Sequence, residues 1–281
     1  MPTFRRSTIA AGIVLASLCI VPRLLIAAGG ARTIVVGGTG CALAAMEDMA
    51  QGFQKKHPEF TVKIIPSLGS GGGIKGVLAG SLDLALSARP LTDREKSQGA
   101  SAKEYARTPF IFVVAKGSQT HAVTLQQAVS IYAGDMREWP DHTPIRLVLR
   151  PEADTDSVLL KAMSPAMERA VRTALSRDGM LVAITDQENA DMLVKVNGAF
   201  GAASLAQIVS EKRQLLPLSL DGVAPSLTAL ARGAYPYYKF FYAITGPRSN
   251  AGARLFVDFL SSAEGRTILA KTGHLVPRGA R

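Results

Sequence analysis

Three short stretches carry residue types that could hold an anion. The first is Pro66-Ser67-Leu68-Gly69-Ser70-Gly71-Gly72-Gly73-Ile74-Lys75. It follows the β-branched run Thr61–Ile65 and precedes helical spacing at Ile74, Val77 and Leu78. A strand, a glycine turn and a new helix make an anion cradle. Glycines such as Gly71 and Gly72 let backbone N–H groups converge, and the helix aims its positive dipole end at the same spot. Ser70 adds a hydroxyl. A plain strand-to-helix turn is an equal reading of these residues. The second stretch is Gly38-Thr39-Gly40-Cys41, after the run Thr33–Val36. The third is Arg150-Pro151-Glu152-Ala153-Asp154-Thr155-Asp156-Ser157, after the apolar run Ile145–Leu149. In open α/β sheets ligands sit at the carboxyl ends of strands. Helix N-termini after Thr39, after Ser70 and after Asp154 are therefore expected to face one cleft.

Other chemistries fit less well. Gly71, Gly73 and Gly76 match the dinucleotide pattern, but Asp93 follows Pro90-Leu91-Thr92 instead of ending a strand. A P-loop needs Gly-Lys-Ser/Thr, and Gly76 is followed by Val77-Leu78. Lys271-Thr272-Gly273 matches one β-lactamase element, without the Ser-x-x-Lys that must accompany it. There is no Gly-x-Ser-x-Gly elbow. Cys41 beside a helix start would have a lowered thiol pKa, but no histidine can be assigned to it. His57, His121, His142 and His274 lack metal-ligand spacing. The expectation is no catalytic residue, no metal and no cofactor.

The chain has 281 residues, 47% apolar and 19% charged, enough for one large or two modest domains. Residues 1–31 read as a secretory signal. Arg5-Arg6 form the positive region, Ile9–Val21 the apolar region, and Ala27, Ala28 and Ala31 offer cleavage sites. Pro22 and Arg23 end the apolar run before membrane-spanning length. Arg5-Arg6 leave Sec and twin-arginine export both open. Cys19 would leave with the signal, so Cys41 has no disulfide partner. Of 32 basic residues three leave with the signal, so the mature chain stays basic against 22 acids. The basic residues are scattered, without aromatic interleaving, which argues against nucleic acid.

Positioning these stretches requires an alternation of strands and helices. Helical spacing runs from Leu43 to Phe53, Leu125 to Tyr132, Ala251 to Leu260 and Ala263 to Thr272. Apolar strand-like runs span Leu82–Ser87, Pro109–Ala115, Ala199–Ser204, Leu215–Leu218 and Tyr237–Ile244. The alternation predicts an α/β fold with mostly parallel sheets. The aromatic run Tyr235–Ile244 reads as a core strand.

The sequence resembles the phosphate-binding proteins of ABC transporters, within the two-lobed periplasmic binding proteins of type II. The carriers are Gly38-Thr39-Gly40-Cys41, Gly69–Lys75 with Leu82–Ser87, Ile131-Tyr132-Ala133-Gly134 with Trp139, Arg150–Ser157, Tyr235-Pro236 and Leu269–Pro277. The resemblance implies two α/β lobes joined by two crossing strands, closing on an oxyanion. Lobe one is expected at 32–110 plus 238–281, and lobe two at 111–237. Pro109–Ala115 and Tyr237–Ile244 are the expected crossing strands. The implied role is an extracytoplasmic, periplasmic solute-binding monomer that hands a small polar or anionic ligand to an ABC permease. A sensor in the inner membrane is the alternative partner, with the chain acting as a non-transport interaction module. A secreted enzyme is the third class.

The resemblance places Thr39, Gly40 and Cys41 at the first anion-binding helix start, Ser70 at the second loop, and Arg150 as the anion-pairing arginine. The departures are large. Where the family carries the acid that accepts the proton of hydrogen phosphate, this chain has Ala88, followed by Arg89. Where the family reads acid-Gly-Ser-Gly-Thr-Ser, this chain reads Glu152-Ala153-Asp154-Thr155-Asp156-Ser157. A carboxylate about 4 Å from an anionic charge costs roughly 1 kcal/mol in water-like surroundings and roughly 4 at an effective dielectric of 20. Micromolar binding is worth only about 8 kcal/mol. Asp154 and Asp156 either cap the next helix, or face the cleft, or pair with Arg150 and Arg89 and fill the site internally. The departures predict weak or absent phosphate binding. A ligand with a cationic and an anionic group would suit the aspartates and Arg150 together.

Overall fold

The structure is a computed structural model that describes residues 1–2 and 32–277. The expected signal lies almost wholly outside the described residues. In chain order the strands are β1 (Arg32–Gly38), β2 (Phe60–Ile64), β3 (Leu84–Ser87), β4 (Ser101–Ala115), β5 (Ala122–Val123), β6 (Arg146–Leu149), β7 (Leu181–Val182), β8 (Ala199–Ser204), β9 (Leu215–Pro217), β10 (Ser219–Leu220) and β11 (Tyr238–Thr245). The α-helices are α1 (Leu43–Lys56), α2 (Gly69–Ala79), α3 (Asp93–Ser97), α4 (Leu125–Ala133), α5 (Thr155–Met163), α6 (Pro165–Ser176), α7 (Asp186–Lys195), α8 (Leu205–Ser210), α9 (Leu227–Ala231), α10 (Ala251–Leu260) and α11 (Ala263–Lys271). A 3-10 turn, Gly40–Ala42, precedes α1.

The strands pair in the order β2-β1-β3-β11-β4-β8-β6-β7, with β9 also on β4. The expectation of mostly parallel sheets holds only at the two ends of this path. There β1 is parallel to β2 and β3, and β6 is parallel to β7 and β8. In the middle, β11 is antiparallel to β3 and β4, and β4 is antiparallel to β8 and β9. The reason is β4. Its first half, from Ser101 to Pro109, pairs with β11, and its second half, from Phe110 to Ala115, pairs with β8 and β9. Only the second half was legible as a strand, because the first half is interrupted by the charged residues Lys103, Glu104 and Arg107, which are half-buried in ion pairs with Asp258 and with each other.

The apolar residues fall into separate cores. One draws on residues between Phe110 and Tyr235, with the Phe200 ring in contact with those of Phe112, Tyr132 and Trp139. A second combines Ile34, Met46, Met49 and Phe53 with Phe241, Phe256 and Leu269. A third, smaller one sits under α2 and contains Ile74, Val77, Ala85 and Ile244. The fold is therefore two α/β lobes, with β4 pairing in both and β11 pairing with β3 and the first half of β4.

The glycine stretch differs from expectation. It is not a turn before a helix; α2 starts at Gly69, which has a φ of 66°, and Gly71 and Gly72 are already helical. Gly73 is the glycine that packing demands. A Cβ there would lie 2.7 Å from Gly38 Cα, so its absence lets α2 lie directly on β1.

Candidate functional site

The site grows from three chain segments that end strands and begin helices. After β1, Thr39 and the turn Gly40–Ala42 present the backbone N–H of Cys41. After β6, Arg150 precedes the turn that Asp154 caps at the start of α5, accepting the Asp156 N–H at 2.9 Å. After β7, Thr185 caps α7, and Asp186 is the first residue of that helix. A fourth group comes from β11, whose alternation buries Lys239, Phe241 and Ala243 on one face.

These four segments meet in one buried charge cluster. Arg150 donates from Nη2 and Nε to the Asp154 carboxylate at 2.9 and 3.3 Å, and from Nη1 to the Ala183 carbonyl at 2.8 Å. Lys239 forms a close ion pair with Asp156. Asp186 lies between the two cations, its Oδ1 3.8 Å from Arg150 Nη2 and 4.0 Å from Lys239 Nζ. Its Oδ2 accepts the Cys41 N–H at 3.1 Å and the Thr39 hydroxyl at 3.4 Å. Lys239 is 1% exposed, Asp156 2% and Arg150 5%, so water screens none of them effectively. Gln187 adds a bond from its Nε2 to the Gly40 carbonyl at 3.0 Å.

Three carboxylates share two cations, and the proton affinities follow. Burial pushes the Asp156 carboxyl up, Lys239 pulls it down, and Asp154 and Asp186 push it up again, leaving it at about 6. Burial pushes the Lys239 ammonium down, but Asp156, Cys41, Asp186 and Asp154 outweigh that and hold it above the ordinary lysine range. Burial and the Asp186 carboxylate push the Cys41 thiol up to about 12. Cys41 is therefore a neutral thiol, which removes the thiolate nucleophile that a helix start would have favoured.

The expected site residues divide. Thr39, Gly40, Cys41, Arg150, Asp154 and Asp156 come together. Thr155 opens α5 between the two aspartates. Ser70 does not join by its hydroxyl, which accepts the Ala88 N–H at 2.9 Å. Gly71 faces open space, with nothing within 4 Å of where a Cβ would stand. Arg89 is committed elsewhere. It makes a two-point pair with Glu95 at 2.7 and 2.9 Å, because Glu95 is held in the Thr92 capping box beside it. The pairing of the aspartates with Arg89 is thus corrected: Arg150 takes Asp154, and Lys239 takes Asp156. Asp154 is at once a helix cap and an ion-pair partner.

Two central residues, Lys239 and Asp186, escaped the sequence reading. Lys239 had a signal: it occupies an inward position of an aromatic strand, where a lysine must find a buried anion. Asp186 had none, since Thr185-Asp186-Gln187-Glu188 reads as an ordinary acidic helix start.

The PBP superfamily domain matches residues 26–264, most of the chain. The chain belongs to the PBP superfamily. Among its relatives is the phosphate-binding protein PstS of Bacillus subtilis, 21% identical over 258 residues, covering 86% of this chain and 80% of that one. The protein SphX of Synechococcus elongatus is 23% identical over 305 residues, covering 100% of this chain and 87% of that one. A structure from Clostridium perfringens, assigned as a phosphate ABC transporter substrate-binding protein with bound phosphate, superposes with a TM-score of 0.75 at 22% identity. It covers 88% of this chain and 100% of its own. At that identity the superposition establishes the type II two-lobed fold of this PBP superfamily member.

Proposed function

We propose that the chain is an exported, non-enzymatic solute-binding protein whose phosphate-type site is filled by its own carboxylates. Its lobes divide at 32–110 plus 238–281 and at 111–237, and the leader is removed near Ala31. The observation that carries this reading is Asp186. Its carboxylate takes the Cys41 N–H, the Thr39 hydroxyl and the fields of Arg150 and Lys239, the donor set an oxyanion would need. The cluster carries one more negative than positive charge, so a further anion is repelled and a cation-bearing solute is attracted. The relatives' names speak of phosphate; the altered residues point this chain to a small solute with an ammonium group, alone or in a zwitterion. Among the described residues no helix is long and apolar enough to cross a membrane, which suits a protein released after export.

The role in transport rests on the shared fold, with an inner-membrane permease as the partner. A second reading is favoured by the depth of burial: a cluster with Arg150, Asp156 and Lys239 this inaccessible suits a closed sensor or interaction module. A thermal-shift panel separates them. Stabilisation by a diamine or amino acid, without stabilisation by phosphate, supports solute binding. No response to any small solute supports the closed module. Stabilisation by phosphate alone defeats the proposal.

A further inference from the structure

We infer that a second ligand site lies at the opposite end of β6 from Arg150, built for a small amphiphilic carboxylate. A cavity of about 400 Å³ opens there, where β6 and β7 begin and α4 and α6 end. Its wall is apolar, with Ile131, Ile145, Leu147 and Met180 among the lining residues. Three guanidinium groups, Arg137, Arg146 and Arg177, line the same cavity.

Two of the arginines are anchored, and none of the three is neutralised. Arg177 donates from Nη2 to the Tyr132 carbonyl at 2.8 Å, and Arg137 from Nε to the Gly134 carbonyl at 2.8 Å. Both bonds satisfy the carbonyl end of α4, as basic residues commonly do. Each uses one of the five N–H donors of a guanidinium. The Arg177 Nε is buried without a hydrogen-bond partner. None of the three arginines has a carboxylate within ion-pair distance among the described residues, whereas Arg89, Arg107, Arg150, Arg172 and Arg213 all do. The remaining donors of Arg137 and Arg177 are therefore held beside an apolar wall, with the exposed Arg146 at the same cavity, and held guanidinium forks favour a carboxylate.

The size limits the ligand. A cavity at the small end of the usual ligand-site range holds on the order of ten non-hydrogen atoms. One anionic head on a short apolar body fits both the wall and the rim. A bare inorganic anion would leave the wall unfilled, and a cation would meet three like charges. This site does not depend on what occupies the cluster at Arg150.

Calorimetric titration of the intact protein with octanoate at low salt tests the inference. Octanoate is expected to bind at one site, and octan-1-ol, with the same body and no charge, about tenfold more weakly or worse. Arg137→Gln with Arg146→Gln changes two exposed side chains and should weaken octanoate by about tenfold or more. Raising the salt should weaken it further. Equal binding of octanoate and octanol, unchanged binding by the double variant, or no octanoate heat would overturn the site. Co-sedimentation with phosphatidylglycerol vesicles in the absence of octanoate binding would likewise overturn it, placing the arginines at a membrane surface.

Discussion

Replacing Asp156 by Asn removes the titrating carboxyl beside Lys239 and exposes a balance between two buried groups. Burial, with the neighbouring aspartates, raises the Asp156 carboxyl from 3.8 to about 6 in the folded protein. The folded chain keeps that proton where the unfolded chain has lost it. The resulting stabilisation is full below 3.8 and is lost as the pH rises through about 6. His274 works in the opposite direction. Burial lowers it from 6.5 to about 4, and its Nε2 has no partner while Nδ1 meets the Thr272 hydroxyl at 3.1 Å. Its stabilisation is full above 6.5 and is lost as the pH falls through about 4. Each gap of two or so pKa units is worth about 3 kcal/mol. Between these limits the two nearly cancel. Urea unfolding followed by the fluorescence of Trp139, buried and the single tryptophan of the chain, measures the balance. On acidification from about pH 7 to about pH 4, Asp156→Asn should lose up to about 3 kcal/mol relative to the parent, and His274→Leu should gain about as much. Differences from the parent cancel the exposed carboxylates common to all three proteins. Parallel curves for the parent and both variants would refute the reasoning.

Removing Lys239 as Lys239→Met leaves Asp156 buried without its cation and should cost about 3–5 kcal/mol in chemical denaturation. Arg89→Ala, which breaks a partly exposed pair with Glu95, should cost about 1 kcal/mol or less; comparable losses from the two would contradict the separate roles given to these cations. Gly71→Ala, entering open space on α2, should stabilise by about 0.5–1 kcal/mol. Gly73→Ala should destabilise by about 1–3 kcal/mol, because its Cβ would crowd Gly38 on β1. Melting temperatures read both, and a stabilised Gly73→Ala would mean that α2 does not rest on β1 as described.

Much of the fold was written in periodicity. The helices α1, α4, α10 and α11 and the strands β1, β3, β8 and β11 lie within a few residues of where their apolar spacing puts them. Periodicity could not show the first half of β4, where charged residues break the apolar pattern without a period of two and the pairing partner, β11, is far along the chain. It also could not show that Gly69–Gly73 is helical, since glycine carries no side chain to mark a face and prefers turns. The site was half legible. Arg150, Asp154 and Asp156 stand in one contiguous stretch whose charges depart from those of the family. Asp186 enters from a helix 30 residues beyond Asp156 and resembles any acid at a helix start. Lys239 was legible in kind, as a cation on the buried side of an aromatic strand, but its partner could be found only in three dimensions.

Titration calorimetry of the unmodified protein with phosphate at neutral pH tests the central claim most directly, with Asp156→Thr/Asp186→Asn as the comparison. The Cys41 N–H, the Thr39 hydroxyl and both cations are already engaged by internal carboxylates, so the parent should give no binding heat into the millimolar range. The double variant frees the Cys41 N–H, the Thr39 hydroxyl and Lys239, leaves Arg150 with Asp154, and removes two negative charges; it should bind at least about a hundredfold more tightly than the parent. Micromolar phosphate binding by the parent would contradict the account, because it would require Asp186 and Asp156 to leave the cluster that the structure places at the centre of the site.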